Sequence, residues 1–266
     1  MKYFNVKQTV FSLLLSATFV ATVPAKENQL ELSESWGLVL SGLLIWTPKF
    51  IGSDKYEVKG EASIDGHFRL SEYSTLFVNN SGVGLNFQRS DHWHLGIRSN
   101  VRPNQDRSNI KYWDGLSNID EAFELGPYLS YQINERLEMS VSGLFDVSET
   151  HHGWVANLNL SHKYMIPKTS ITMTSLFGID YANKNYNNTY YGVKPLINGI
   201  PIRSSYGLGS GFNSASFGSF FSYPHSDNIA LIGSISAIAI IGAANNSPII
   251  KQDTLISVGL GVAYTF

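Results

Sequence analysis

The 266-residue chain has no cysteine. That excludes disulfide frameworks, cysteine zinc sites, thiol catalysis and a lipidated N-terminal cysteine. Charge is scarce as well. Asp, Glu, Lys and Arg make up 15% of the residues, against roughly 25% in soluble domains. With 19 basic and 21 acidic residues the formal net charge is −2, so no basic surface for nucleic acid is expected. Long apolar runs are missing too. The mean hydropathy is −0.05, which excludes a bundle of membrane helices, each needing ~20 consecutive apolar residues. What the chain does have is 43% hydrophobic residues, 13% aromatics and 23 glycines. That is ample material for one large domain.

Residues 1–25 read as a secretory signal peptide. Lys2 and Lys7 form a positive start. VFSLLLSATFVA (10–21) is an apolar stretch too short to span a bilayer, and Val23-Pro24-Ala25 fits a small-residue cleavage site. Cleavage after Ala25 removes two lysines and no acidic residue. The chain then leaves the cytoplasm, and its lack of cysteine is compatible with an oxidising compartment. Residues 26–34 (KENQLELSE) read as a short polar periplasmic leader, and 35–266 as one domain.

That domain shows period-two alternation and no useful helical period. In WVANLNLSHKY (154–164), Trp154, Ala156, Leu158, Leu160 and Tyr164 share one face, and Asn157, Asn159, Ser161 and Lys163 the other. In 58–70, Val58, Ala62, Ile64, Phe68 and Leu70 oppose Lys59, Glu61, Asp65, His67 and Arg69. Segments 136–145 and 169–181 repeat the pattern. A soluble sandwich also alternates, but three features favour a membrane barrel. The last segment carries Ile256, Val258, Leu260, Val262, Tyr264 and Phe266 on one face, the kind of aromatic end expected of a strand handed to the outer-membrane assembly machinery. Trp36 and Trp46 share a face ten residues apart, which is roughly 23 Å along the membrane normal for a strand tilted by about 45°. An apolar band of about 25 Å flanked by aromatic girdles has that height. Finally, the connections alternate between short and long.

Strands are expected near 35–46, 58–70, 73–79, 82–89, 93–101, 122–133, 136–147, 154–165, 169–181, 206–222, 228–242 and 253–266. The expected fold is therefore all-β: a closed antiparallel transmembrane barrel of twelve strands, or ten if 73–79 forms none. If the first strand starts on the periplasmic side, the three longest connections (47–57, 102–121 and 182–205) all fall outside, as outer-membrane barrels require.

Candidate sites are sparse. His92 and His94 would share a strand face and could hold a metal, with only Asp91 nearby. His151-His152, beside Glu149, would need a bend to share a ligand. Turn and rim histidines are the simpler reading of both. A barrel hydrolase needs a serine within reach of a base and a third, orienting group. Ser161 and His162 are adjacent, so they face opposite sides. His67 shares a face with Asp65 and Glu61, which a serine from a neighbouring strand could join. The inward charges carry more information: Lys59, Glu61, Asp65, His67 and Arg69 on one strand, with Arg98, Glu124, Glu138, Lys163 and Asp180 on others. Such a set either pairs and fills a narrow lumen or lines a small polar pore; the filled lumen is favoured. Gly52-Ser53-Asp54 has the chemistry of a tight turn. Tyr190 and Tyr191 lie in the longest loop, as a lid or as a contact for partners, sugars or lipopolysaccharide. No catalytic, cofactor or metal residue is assigned.

Four segments together resemble the MipA/OmpV family. TPKFIGSDKYEV (47–58) is similar to its first loop, ELGPYLSYQI (124–133) to its middle strand, and YYGV (190–193) to its aromatic-Gly segment. NNSPIIKQ (245–252) with the closing GLGVAYTF is similar to its last hairpin. VKGEASIDGH (58–67) stands where the family has a proline-rich stretch. The resemblance implies a non-enzymatic outer-membrane barrel of a Gram-negative bacterium. It further implies a scaffold joining a murein lytic transglycosylase to a murein synthase. Other members are surface antigens, adhesins or porin-like proteins, which keeps an adhesin and a small-solute channel as rivals.

Overall fold

A computed structural model describes residues 35–266 except 89, 91, 106, 108–115, 195, 198–199 and 202–204. The expected signal peptide, the leader and Asp91 lie outside the described residues. The elements in chain order are β1 (Trp36–Pro48), β2 (Tyr56–Ser71), β3 (Ser74–Asn79), β4 (Gly82–Gln88), β5 (Trp93–Arg102), β6 (Ala122–Asn134), β7 (Leu137–Asp146), β8 (Trp154–Met165) and β9 (Thr172–Ala182). Helix α1 (Lys184–Tyr191) and a two-residue ladder, β10 (Leu196–Ile197) with β11 (Ile200–Pro201), follow. The chain closes with β12 (Gly211–Pro224), β13 (Ile229–Ile240), α2 (Gly242–Asn245) and β14 (Thr254–Thr265).

Twelve strands, all but β10 and β11, form a closed antiparallel barrel in which each pairs with its neighbour. The ring closes where β1 meets β14, in register from Val39↔Thr265 to Trp46↔Val258. Each of the twelve expected strands is present, and 73–79 is β3. Pro127, in mid-β6, cannot donate to a ladder. The β6–β7 pairing skips from Leu125↔Phe145 to Tyr128↔Ser142 at that point, where a residue without an N–H is tolerated.

The alternation becomes an outside and an inside. Val258, Leu260, Val262 and Tyr264 are exposed on the outer face of β14, while Leu255, Ser257 and Ala263 are buried on its inner face. In a soluble fold such a band of exposed Leu, Val, Ile and Phe would be a liability. Against hydrocarbon it is the solvent contact. Aromatics gather at the two margins of the band. At one end Trp46 stacks on Tyr56 at 4.1 Å and Tyr181 meets Phe212 edge-on at 5.2 Å. At the other, Trp93 lies 4.5 Å from Tyr131, and Tyr264 lies 4.9 Å from Phe266. The short turns 72–73, 135–136 and 225–228 share this second rim, which the usual loop asymmetry makes periplasmic. The long connections lie at the first.

Leu260, 70% exposed in mid-β14, tests the lipid face. Leu260→Arg is expected to destabilise the barrel by about 2–4 kcal/mol in unfolding titrations from phospholipid vesicles. Ser257→Arg, on the opposite face, would instead collide with Thr47, to which Ser257 is hydrogen-bonded at 2.9 Å.

Candidate functional site: a plugged lumen

The external mouth of the barrel is stoppered. The stopper is built on Glu124, which is 0% exposed near the outer end of β6. Its Oε2 accepts from Asn100 Nδ2 at 2.6 Å and Arg102 Nη2 at 3.2 Å, and its Oε1 from Arg102 Nε at 3.1 Å and His151 Nε2 at 3.0 Å. His151 Nδ1 accepts from the Gly153 N–H at 3.1 Å, which leaves Nε2 as the ring nitrogen that faces Glu124. A buried carboxylate is tolerable only with such a full set of donors. Asp146 places the histidine: its Oδ2 accepts the backbone N–H groups of His151 and His152 at 2.6 and 2.8 Å.

Helix α1 lies over this pair. Arg102 sits 5.0 Å from the Tyr186 ring centroid and 5.5 Å from that of Tyr190, a cation held between a carboxylate and two aromatic faces. The helix is poor in strong helix formers, so its neighbours hold it. Asn183 caps its start, its Oδ1 accepting from Tyr186 N at 3.1 Å. Asn188 exchanges two bonds with Leu208, at 2.7 and 2.9 Å. Arg107 closes its end, with Nη2 on the carbonyls of Thr189 and Tyr190 at 2.9 and 2.7 Å, where the helix dipole favours a cation. Burial pulls the Arg107 guanidinium down to about 10, still protonated at neutral pH, and pushes the Tyr190 and Tyr191 phenols above their usual range. Tyr186, Tyr190 and Tyr191 then join Leu144, Val155, Ile238, Ile240 and Leu255 in one apolar cluster inside the barrel mouth.

Several expectations resolve here. Helix α1, in the longest loop, is turned inward, with Tyr190 1% exposed. His151 is the plug's own hydrogen-bond donor, while His152 is exposed, so the two do not share a ligand. His92 and His94 also separate. His92 precedes the strand and stacks on Tyr131 at 5.9 Å, whereas His94 lines the lumen. Among the described residues no group of three His, Asp or Glu could hold a metal ion. His162 stacks on Tyr164 at 5.4 Å, away from Ser161. The His67 ring lies over Gly37, where an added Cβ would stand 2.6 Å from it. Two of the expected inward charges are partnered: Lys59 forms an ion pair with Glu57 of its own strand at 2.8 Å, and Asp180 accepts from the neutral Asn157 and Ser214 at 2.6 and 2.8 Å. Arg102, one residue beyond the expected end of its strand, is the partner that sequence reasoning missed. So was α1. Its trace in the sequence is an Asn cap followed by Tyr186 and Tyr190, four residues apart on one helical face.

Gly52 forms the expected turn, with φ +85 and Ser53 N on Phe50 O at 3.0 Å. Its carbonyl accepts from Lys251 and Gln252 at 2.8 and 3.1 Å, and Ser247 Oγ donates to Tyr191 O at 2.5 Å. The first and last external loops and the YYGV segment are thereby tied together.

Glu124→Ala leaves Arg102, Asn100 and His151 without their acceptor and is expected to destabilise the fold by about 3–5 kcal/mol, read as a lower urea midpoint. Tyr190→Phe should do the reverse. The Tyr190 hydroxyl is buried with no hydrogen-bond partner among the described residues, so its removal should be neutral or stabilising by up to ~1 kcal/mol.

The chain is similar to known proteins in sequence and in fold. A family model described as MltA-interacting protein MipA matches residues 40–266. Outer membrane protein Omp26La of Vibrio anguillarum is 29% identical over 121 residues, 46% of each chain, so the matched stretch spans about half the length of that relative. Among solved structures, the COG4313 outer membrane channel from Pseudomonas putida F1 aligns over 87% of this chain and 96% of its own, at 11% identity and TM-score 0.46. The NanC porin aligns over 85% and 98%, at 11% and 0.45. With the family match running through the plug and every barrel strand, the chain belongs to the MltA-interacting protein MipA family and is an outer-membrane β-barrel.

Proposed function

We propose that the barrel is a non-conducting, non-enzymatic anchor that gathers murein-remodelling enzymes, a lytic transglycosylase and a murein synthase, at its periplasmic rim. The observation that carries this reading is the plug. A mouth closed by a buried Arg102–Glu124 pair under three tyrosines is ill suited to solute flux, which needs a continuous polar path. It suits a barrel whose task is to hold something at the membrane. The opposite rim presents exposed charges of both signs on short turns, with Glu72, Arg136, Lys168 and Asp227 among them. Such a mixed pattern orients a protein partner more than it adds affinity. The family's description names MltA as an interactor, and the partner class is taken over from it. On the same reading residues 1–25 are a signal peptide that is removed, 26–34 are a periplasmic leader, and the outer band meets lipid and lipopolysaccharide.

Crosslinked affinity purification from native envelopes tests the reading, with a same-size barrel as control. A lytic transglycosylase or a murein synthase should be enriched in the mass spectra; a pull-down matching the control would overturn it. In planar bilayers the wild-type barrel should show no large stable open state. A plug-weakened Arg102→Ala variant should flicker open.

A further inference from the structure

Beneath the plug the lumen is lopsided. On the side of β12, β13 and β14 it is filled: Phe220, Ala230, Ile232 and Ala263 pack together, with Val39 and Leu43 of β1 against them. On the side of β2 to β7 lies a cavity of about 410 Å³, within the size range of small-ligand sites. His94 and Glu138 reach it from one residue inside the periplasmic ends of β5 and β7, so access is from the periplasm.

The lining is specific in its chemistry. Arg98, only 8% exposed, stands at mid-lumen. Its register partners on both neighbouring strands are glycines, Gly84 and Gly126, and the Phe77 ring takes the space over Gly84. Two carboxylates, Asp65 and Glu138, lie on the flanking strands. Phe77 and Tyr128, edge to face at 6.0 Å, form an aromatic wall. Asn86 Oδ1 is buried against the cavity and accepts no hydrogen bond among the described residues. Buried acceptors are rarely left so, and what this one lacks is a donor.

We propose that the cavity binds a small zwitterion of amino-acid to dipeptide size, entering from the periplasm. Arg98 takes the carboxylate, Glu138 holds the ammonium, and Asn86 accepts an N–H. A simple anion would meet two carboxylates and a simple cation would meet the guanidinium; a molecule with both charges satisfies both. β5 and β7 are two strand spacings apart, about 10 Å, so their side chains grip the two ends of a short molecule rather than a single atom. Metal-ion binding is a poor fit, because the imidazoles and carboxylates here do not converge on one point.

The test uses the purified full-length barrel in detergent, without any partner protein, so its outcome is independent of the scaffold reading. Radiolabelled L-alanyl-L-alanine is measured by equilibrium dialysis. N-acetyl-L-alanine, which lacks the ammonium, and L-alaninamide, which lacks the carboxylate, serve as competitors. Saturable dipeptide binding is expected, with each singly charged analogue at least about tenfold weaker. Arg98→Gln should weaken the dipeptide by a similar factor while the barrel keeps its heat-modifiable gel mobility. Should Arg98→Gln fail to fold, Glu138→Gln at the open end of the cavity replaces it. No saturable dipeptide binding, equal binding of the singly charged analogues, or unchanged binding in a folded variant would overturn the proposal.

Discussion

In hydrocarbon no backbone N–H or C=O can be left unpaired, and the closure of β1 on β14 is the answer this chain gives. The rest of the architecture follows from it. A ring of strands has two faces, so side chains must alternate between lipid and lumen. The lipid face must be apolar for the height of the hydrocarbon and may be aromatic at its margins. The loop lengths then sort themselves to the two ends. Closure does not specify what fills the ring, and that second question separates a channel from a solid post.

Here the filling uses two kinds of physics. One side is apolar packing around Phe220, and the outer mouth is an aromatic cluster. Between them sit ionised groups that only make sense as a set. Glu124 is buried with three side chains making four hydrogen bonds to its two oxygens, and one of those side chains, Arg102, is itself covered by Tyr186 and Tyr190. Such an arrangement contributes little net stability compared with an apolar core of the same shape. What it provides is geometry. It fixes where His151 stands, where α1 lies, and which way the longest loop folds.

The barrel was legible because its signal is local and repeated. Val58 opposite Lys59, or Leu158 opposite Asn157, reports a face without any knowledge of the neighbouring strand, and twelve such segments reinforce one another. The plug was only half legible. Glu124 could be placed inward from its register. That it meets Arg102 and His151 depends on a strand running one residue further than expected and on a loop turned by Asp146. Tyr190 and Tyr191 sit in an Asn-rich segment whose intrinsic helix preference is weak, so tertiary bonds to Leu208 and Arg107 decide its conformation. Contacts made across the mouth between residues far apart in the chain leave no periodic trace in it.

Each of the four segments on which the family resemblance rests has residues at one end of the barrel. ELGPYLSYQI opens with Glu124 itself. YYGV contains two of the buried tyrosines, and Tyr191 O accepts from Ser247 in NNSPIIKQ. Gly52 in TPKFIGSDKYEV accepts from Lys251 and Gln252 of that same last loop. Part of each meets the external plug, while the rest of ELGPYLSYQI and the closing GLGVAYTF run to the periplasmic rim. Murein lies at the opposite end. The motifs that mark membership therefore encode how the barrel is closed, since plug residues must fit one another and a change at one strands the rest. Whatever grips a partner would be encoded in short polar turns such as Asn134-Glu135-Arg136, exposed to water and free of that mutual constraint. Changes in those turns can therefore accumulate without disturbing the plug.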